Sequence, residues 1–487
     1  MKRMSGVFLH ITSLPSPFGI GDLGPHAYRW IDLLAEHKQS LWQMCPVNPV
    51  GYGYSPYMSL SAFAGNTMLI SPELLCQWGY LGKEDVEHPN FSNTHVEFSA
   101  VDSYKQDLLH RAFLNFTPTP EYQDFCTEEA YWLEDYVLFL SLSRYFKTND
   151  WNTWPKPYSL RDKHALEKWQ EEHHAELEEY RILQFIFQSQ WFDLKTYANS
   201  KGVHLFGDAP YYVAYASSDV WAHRELFELD ETGSPLRVGG VPPDYFSEDG
   251  QLWGNPLYNW DALQKSNYAW WIKRIKRLHF YTDYVRIDHF RAFEAYWAVP
   301  ADSTTAKVGE WVPCPGEDFF RVLRETLGEL PLIAEDLGTI TQDVIDLRMR
   351  FDIPGMKVLQ FAFDGNRDNW YLPYNCGQNS VMYSGTHDND TLVGWITSLD
   401  QETRSSLMDY LDCCEEEIPR KIIRETLASV STMALLPLQD ILRMGSEYRF
   451  NTPGTVGENW DFRFTWDMLH LPYFAELAQF TDIFGRA

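Results

Sequence analysis

Long apolar runs are missing from this 487-residue chain, and none approaches the ~20 residues that cross a bilayer. The opening stretch, MKRMSGVFLHITSL, has neither an apolar segment of signal-peptide length nor a small-residue cleavage pattern, so a cytoplasmic protein is expected. Cysteine is scarce. The seven thiols, at 45, 76, 126, 314, 376, 413 and 414, are odd in number and include no CxxC pair, which fits neither a disulfide framework nor a zinc site. Basic residues are outnumbered, 40 Lys and Arg against 68 Asp and Glu, for a net charge of -28. Such a surface repels phosphate backbones and anionic lipid, so neither nucleic acid nor a membrane is an expected partner. No GxGxxG follows directly on a strand-like run, which argues against a dinucleotide-binding sheet. Internal repeats and low-complexity tracts are missing too.

What is present describes a folded chain with a large core: 45% hydrophobic residues and a mean hydropathy of -0.37. Phe, Tyr and Trp make up 16% of it, more than a core usually needs, and flat rings suit the apolar faces of sugars and bases. Eight short β-branched or apolar runs recur, many ending in a polar residue: GVFLHI (6–11), SLWQMCPV (40–47), VHLFGDAP (203–210), YTDYVRIDHF (281–290), LPLIAED (330–336), MKVLQFAF (356–363), SVMYSGTHD (380–388) and MALLPLQDIL (433–442). Amphipathic helical patterns lie between them, such as HAYRWIDLLAEHKQ and TQDVIDLRMRF, the latter opened by a threonine cap and closed near Pro354-Gly355. Strands alternating with helices imply a parallel sheet, and eight such units imply an α/β fold of the (β/α)8 TIM-barrel type over residues 1–487. The spacing is uneven. Residues 48–202 are expected to form an inserted, mainly helical subdomain, and residues 211–280, rich in Pro, Gly and aromatics, an inserted loop region covering the active site. In EEHHAELEE, His173 and His174 could be taken as a metal patch, but a solvated helix face is the better reading.

Barrel strands present side chains at their C-terminal ends to the active site. Three of the runs end in acids there: RIDH with Asp288, IAED with Glu335 and GTHD with Asp388. A single strand-end carboxylate is usually a helix cap or a loop ion pair. Three of them, with Arg286 and His387 adjacent, point to one pocket. Two carboxylates across one bond are the apparatus of glycoside cleavage, one attacking the anomeric carbon while the other protonates the leaving oxygen. Arg286 precedes Asp288 by two residues and so shares its strand face; its permanent charge would keep the nucleophile ionised, while Glu335 needs a raised pKa to act as an acid. A metal site from these acids with His289 and His387 fits less well, since His289 is adjacent to Asp288 and should point away from it.

The residues resemble a known family, the 4-α-glucanotransferases, called amylomaltase in bacteria and disproportionating enzyme in plants. Its marks run through the chain in order: LHITSLPSPFGIGDLG, GYGYSPYMSLSAFAGN, GDAPYYVAYASSDVWAH, VPPDYFSEDGQLWGNPLY, VRIDHFRAF, IAEDLG, PGMKVLQFAF, YSGTHDNDTLVGW and FNTPGTVGENW. The resemblance implies a (β/α)8 barrel with inserted subdomains and no C-terminal β-domain. It implies Asp288 as nucleophile, Glu335 as general acid/base and Asp388 as transition-state stabiliser. Arg286, His387 and Asp208 match residues at the cleaved sugar, as do Ser55 and Tyr57 of the SPY triplet, and Tyr52 matches a more distant glucan contact. Tyr245, Phe246, Gln251 and Trp253 match a flexible cover over the cleft, and Asn459 and Trp460 a late glucan-contacting stretch. The implied partners are maltooligosaccharides and α-1,4-glucans, with no cofactor and no metal.

Where the family usually reads GYGDSPYQ this chain has Tyr54 and Met58, and Ala216 replaces the first Asp of DSADVW. None of the three acids is lost. Residues alone leave the acceptor open: an α-amylase-type hydrolase differs from a transferase only in whether water or a sugar hydroxyl meets the glucosyl-enzyme, and a non-catalytic glucan-binding barrel is a third reading. The Val241 to Tyr258 loop, as a lid that excludes water and orients an acceptor, favours transfer.

Overall fold

The computed structural model describes residues 2–243 and 247–487. Its strands, in chain order, are β1 (Met4–Phe8), β2 (Leu41–Gln43), β3 (His204–Ala209), β4 (Arg237–Val241), β5 (Gln251–Pro256) and β6 (Tyr284–Ile287). There follow β7 (Ala295–Pro300), β8 (Glu310–Pro313), β9 (Leu332–Ala334), β10 (Gly355–Val358), β11 (Ser380–Tyr383) and β12 (Met433–Pro437). Eight of them close into a barrel in the order β1-β12-β11-β10-β9-β6-β3-β2, every neighbouring pair parallel. These are the eight runs read from the sequence. Their near-continuous burial, as in β11 and β12, is what a sheet covered on one face by helices and on the other by its own lumen requires.

Period two decides what fills the lumen. Met4, Leu41, Phe206, Tyr284, Ile333, Met356, Val381 and Met433 form one apolar cluster across the barrel strands. One or two alternate positions further along, the same faces carry Asp208, Arg286, Asp288 and Glu335. The packed lumen is thus the floor of the site. The first outer helix, Pro25–Glu36, starts on a proline at its first position and buries Ala27, Trp30, Ile31 and Leu34, an i, i+3, i+4, i+7 stripe.

Between β2 and β3 the described residues form helices and loops, with no strand. The last helix there, His174–Ser200, is long because it belongs partly to the barrel, packing on β3 and on helix Pro25–Glu36. Residues 211–280 are more regular than the sequence suggests. β4 pairs antiparallel with β5 and β7, and β7 with β8, making a second, four-stranded sheet, while helix Ala269–Tyr281 packs against β3 and β6 as part of the barrel wall. The strands were obscured by composition: RVGGV and QLWGNP are glycine-bearing, the first largely buried and the second largely exposed before its last two residues, so neither alternates cleanly.

Beyond β12 the chain forms helices Leu438–Ile441 and Leu471–Ile483 and, among the described residues, no further strand. Arg486 is fully buried at the barrel's base, its Nε donating to Leu427 O at 2.7 Å, Nη1 to Met4 O at 2.9 Å, and Nη2 to Ser429 O at 3.0 Å and Ser431 O at 2.9 Å. One guanidinium thereby ties β1 to the segment entering β12. Among the described residues no helix is long and apolar enough to cross a membrane.

Candidate active site

The site is built on the register between β3 and β6, which sets Asp208 beside Arg286. Both side chains are almost wholly buried. Arg286 Nη1 meets Asp208 Oδ2 at 2.6 Å and its Nη2 meets Asp288 Oδ1 at 2.7 Å, so one guanidinium bridges two carboxylates. Burial works against that cation, yet Asp208 and Asp288 outweigh burial and hold its pKa well above the ordinary value. Tyr57 donates its hydroxyl to the same Asp208 Oδ2 at 2.8 Å and stacks on His387 with ring centroids 5.1 Å apart. Its hydroxyl stays protonated because burial, then the Asp208 charge, push its pKa far up.

Asp288 lies just past β6, its amide bonded to Ala209 O at 3.0 Å. The next residue, His289, turns into the left-handed region at φ 54°, which aims its amide at Glu335 Oε2, 2.8 Å away. Glu335 Oε1 accepts from the amide of Leu337 at 3.1 Å. Burial first, and the neighbouring Asp288 charge second, push Glu335 up to about 8, against the pull of Arg286. Burial raises Asp288 as well, with Arg286 opposing it directly. The two carboxyls titrate as a pair, and the guanidinium sits on only one of them. The guanidinium favours the charged form of Asp288, while burial favours the protonated form of Glu335.

Asp388 follows β11 and is more open. Its Oδ1 accepts from Asn451 Nδ2 at 2.6 Å and its carbonyl from Arg449 Nη2 at 2.6 Å, while His387 Nε2 lies 3.4 Å from its Oδ2. His387 itself is wedged between Tyr57 and Phe8, the latter 5.9 Å away. Asn451 and Arg449 are functional neighbours that sequence reading missed, because nothing local marks a residue whose partner lies 63 positions away. His10 was missed too; it lies two residues past β1, and burial and the proximity of His387 drive its pKa down to about 3, so it is neutral.

The outer residues divide. Ser55 turns the loop, accepting from the amide of Tyr57 at 3.3 Å. Tyr52 stands 74% exposed. Trp253, on β5, lies edge-on to His289 at 4.8 Å and donates to Gln251 Oε1 at 3.2 Å. Tyr245 and Phe246 lie outside the described residues. Asn459 uses its amide within its own loop, accepting from Thr452 N at 2.9 Å and donating to Thr455 Oγ1 at 3.0 Å. Trp460 adopts φ 67°, a conformation costing ~1–3 kcal/mol for such a residue, and its ring sits 5.8 Å from Tyr57. The departures have local replacements: Tyr54 stacks on Phe98 at 4.4 Å and meets Ser99 Oγ at 3.2 Å. Beyond Ala216, the buried Asp219 fastens the loop by accepting from Ala62 N at 2.7 Å. His173 is half-buried and stacks on Trp169 at 3.9 Å, while His174 is exposed, as a solvated face requires. Among the described residues no group of three or more His, Cys, Asp or Glu is placed to hold a metal ion.

A parallel barrel whose strand ends present an arginine-held aspartate, a neighbouring protonated glutamate and a third acid beside a buried histidine defines a glycoside-bond-cleaving barrel enzyme. Residues 9–469 match the profile of the 4-alpha-glucanotransferases, and the chain belongs to that family. A 4-alpha-glucanotransferase from Synechocystis sp. is 46% identical over 100% of this chain and 98% of its own. One from Thermus thermophilus is 43% identical over 95% of each. The solved amylomaltase from Streptococcus agalactiae, in complex with acarbose, superposes with a TM-score of 0.97 at 38% identity over 100% of both chains. The activity is retaining transfer of α-1,4-glucan segments.

Proposed function

We propose that Asp288 is the nucleophile, Glu335 the acid and base, and Asp388 the stabiliser in transfer between maltooligosaccharides. An Asp288 carboxylate oxygen attacks the anomeric carbon while Glu335 gives its proton to the departing glycosidic oxygen, leaving a glucosyl ester on Asp288. The 4-hydroxyl of an incoming glucan then attacks that carbon, Glu335 takes its proton, and Asp288 is released; glucose leaves as a by-product when it is the displaced end. Asp388, with His387, faces the positive character that builds at the sugar ring. Asp208 and Tyr57 position Arg286 and line the cleaved sugar's place. Acarbose in the Streptococcus agalactiae amylomaltase supports an oligosaccharide-binding cleft.

The observation that carries this reading is the split between the two carboxyls, one clamped by Arg286 at 2.7 Å and the other pushed up to about 8. Transfer over hydrolysis is supported by Trp253, edge-on to His289 at 4.8 Å with Gln251 bonded beside it, a surface able to keep water from the ester. The seven free cysteines support a cytoplasmic address. Maltotriose given to the pure protein should yield longer oligosaccharides and glucose, and Asp288→Asn should lower that rate on the order of 10⁴-fold. Products no longer than maltotriose would indicate the hydrolase, and an Asp288→Asn protein as active as the parent would refute the assignment.

A further inference from the structure

We infer that the helical segment carries a second glucan-binding site, separate from the catalytic cleft, with Tyr145 as its sugar platform. The inference rests on glucan being the substrate. Three helices, Phe98–Asn115, Ala130–Phe146 and His174–Ser200, supply most of the lining of a cavity of about 560 Å³. That size falls within the roughly 300–1,000 Å³ of small-molecule sites.

Tyr145 is 61% exposed at the cavity yet firmly seated. Trp169 meets its ring edge-to-face at 5.0 Å, Phe146 at 5.1 Å and His173 at 6.3 Å. A tyrosine held on its inner side and open on its outer side loses little freedom when a flat ligand lies on it. Phe113 adds apolar surface nearby.

Polar groups complete the lining, and they arrive already paired. Glu176 accepts from Ser141 Oγ at 2.9 Å and from Tyr180 at 3.2 Å, with Arg144 3.6 Å and His173 3.4 Å away. Glu179 meets His110 Nδ1 at 2.9 Å. Because each carboxylate faces its own cationic or imidazole partner, a charged ligand gains little, and a phosphate would be set beside two acids on a chain of net charge -28. The ligand that fits is neutral, offers hydroxyls to carboxylate and imidazole edges, and has an apolar face for the ring. A glucose unit of an α-glucan has all three properties.

Position gives the site a use. Helix Phe98–Asn115 begins at the residue that stacks on Tyr54, in the loop that also carries Tyr57. His110 lies further along the same helix, ~18 Å on at 1.5 Å per residue. A short oligosaccharide cannot engage both places, whereas a long glucan can, so the site acts on polymeric donors and leaves maltotriose turnover alone.

The test pairs two measurements, retardation in gels containing amylose and disproportionation of maltotriose in solution. Tyr145→Ala should keep maltotriose kcat/KM near the parent value and weaken apparent amylose affinity about five-fold, with Tyr145→Trp restoring it. His110→Ala, on another wall of the cavity, should weaken retardation in the same way and serves if Tyr145→Ala does not fold. Retardation unchanged in folded variants overturns the site, as does a parent protein that turns over maltotriose but is not retarded at all. A parent protein that does neither overturns the glucan reading itself.

Discussion

Arg286 sets the charges around it, and this has a measurable pH signature. With Glu335 pushed up to about 8 and Asp288 held by the guanidinium, kcat/KM for maltotriose should fall as pH rises through about 8, where the acid loses its proton, and fall again at low pH as Asp288 is protonated. Glu335→Gln should abolish the alkaline limb of the residual rate. Stability should respond in the opposite sense to a salt-bridged acid. A carboxyl raised from 4.5 to about 8 binds its proton more tightly when folded, so its contribution is full below 4.5 and is lost as pH climbs to about 8. Glu335→Gln should therefore melt higher than the parent at pH 8, on the order of a few degrees, and equal to it near pH 4, as differential scanning calorimetry would register. Asn451→Ala frees the Asp388 carboxylate and should lower kcat about 10-fold to 100-fold with little change in KM. Arg286, Asp288 and Glu335 were legible because period two runs straight from the lumen to the rim, while Asp208 was reached only through the family resemblance. Asn451, His10 and Arg449 were not, since only closure of the barrel brings them near Asp388 and His387.

At the scale of elements, the second sheet matters most. β5 carries Trp253 to the side of His289, and through β4 it is anchored to β7, so this edge of the site is a sheet extension rather than a free loop. Trp253→Ala should open the ester to water and raise the ratio of hydrolysis to transfer several-fold, read as reducing ends released against chain lengths formed. The eight barrel strands and the long helices were legible from apolar runs and helical periodicity. The sheet was not, because Gly239, Gly240 and Gly254 interrupt its pattern and its pairing partners lie across β6. In the loop at 51–58, Tyr54, standing where the family usually has an acid, forms a ring stack with Phe98; nothing in the structure explains Met58.

For the whole molecule, the charge of -28 and a neutral substrate predict insensitivity to salt. KM for maltotriose should change less than about two-fold between low and high ionic strength, where a charged ligand would lose most of its attraction. Arg486→Ala removes a buried cation from five backbone carbonyls at the base and should cost about 3 kcal/mol in denaturant unfolding. The ring that this residue braces also has a history in time. β1 ends at Phe8 and its closing neighbour β12 begins at Met433, and a ribosome adding about 5–20 residues per second needs roughly 20–85 s to make the chain between them. Throughout that interval the growing sheet carries an open seam along β1, so newborn chains depend on whatever shields that edge until the last barrel strand emerges.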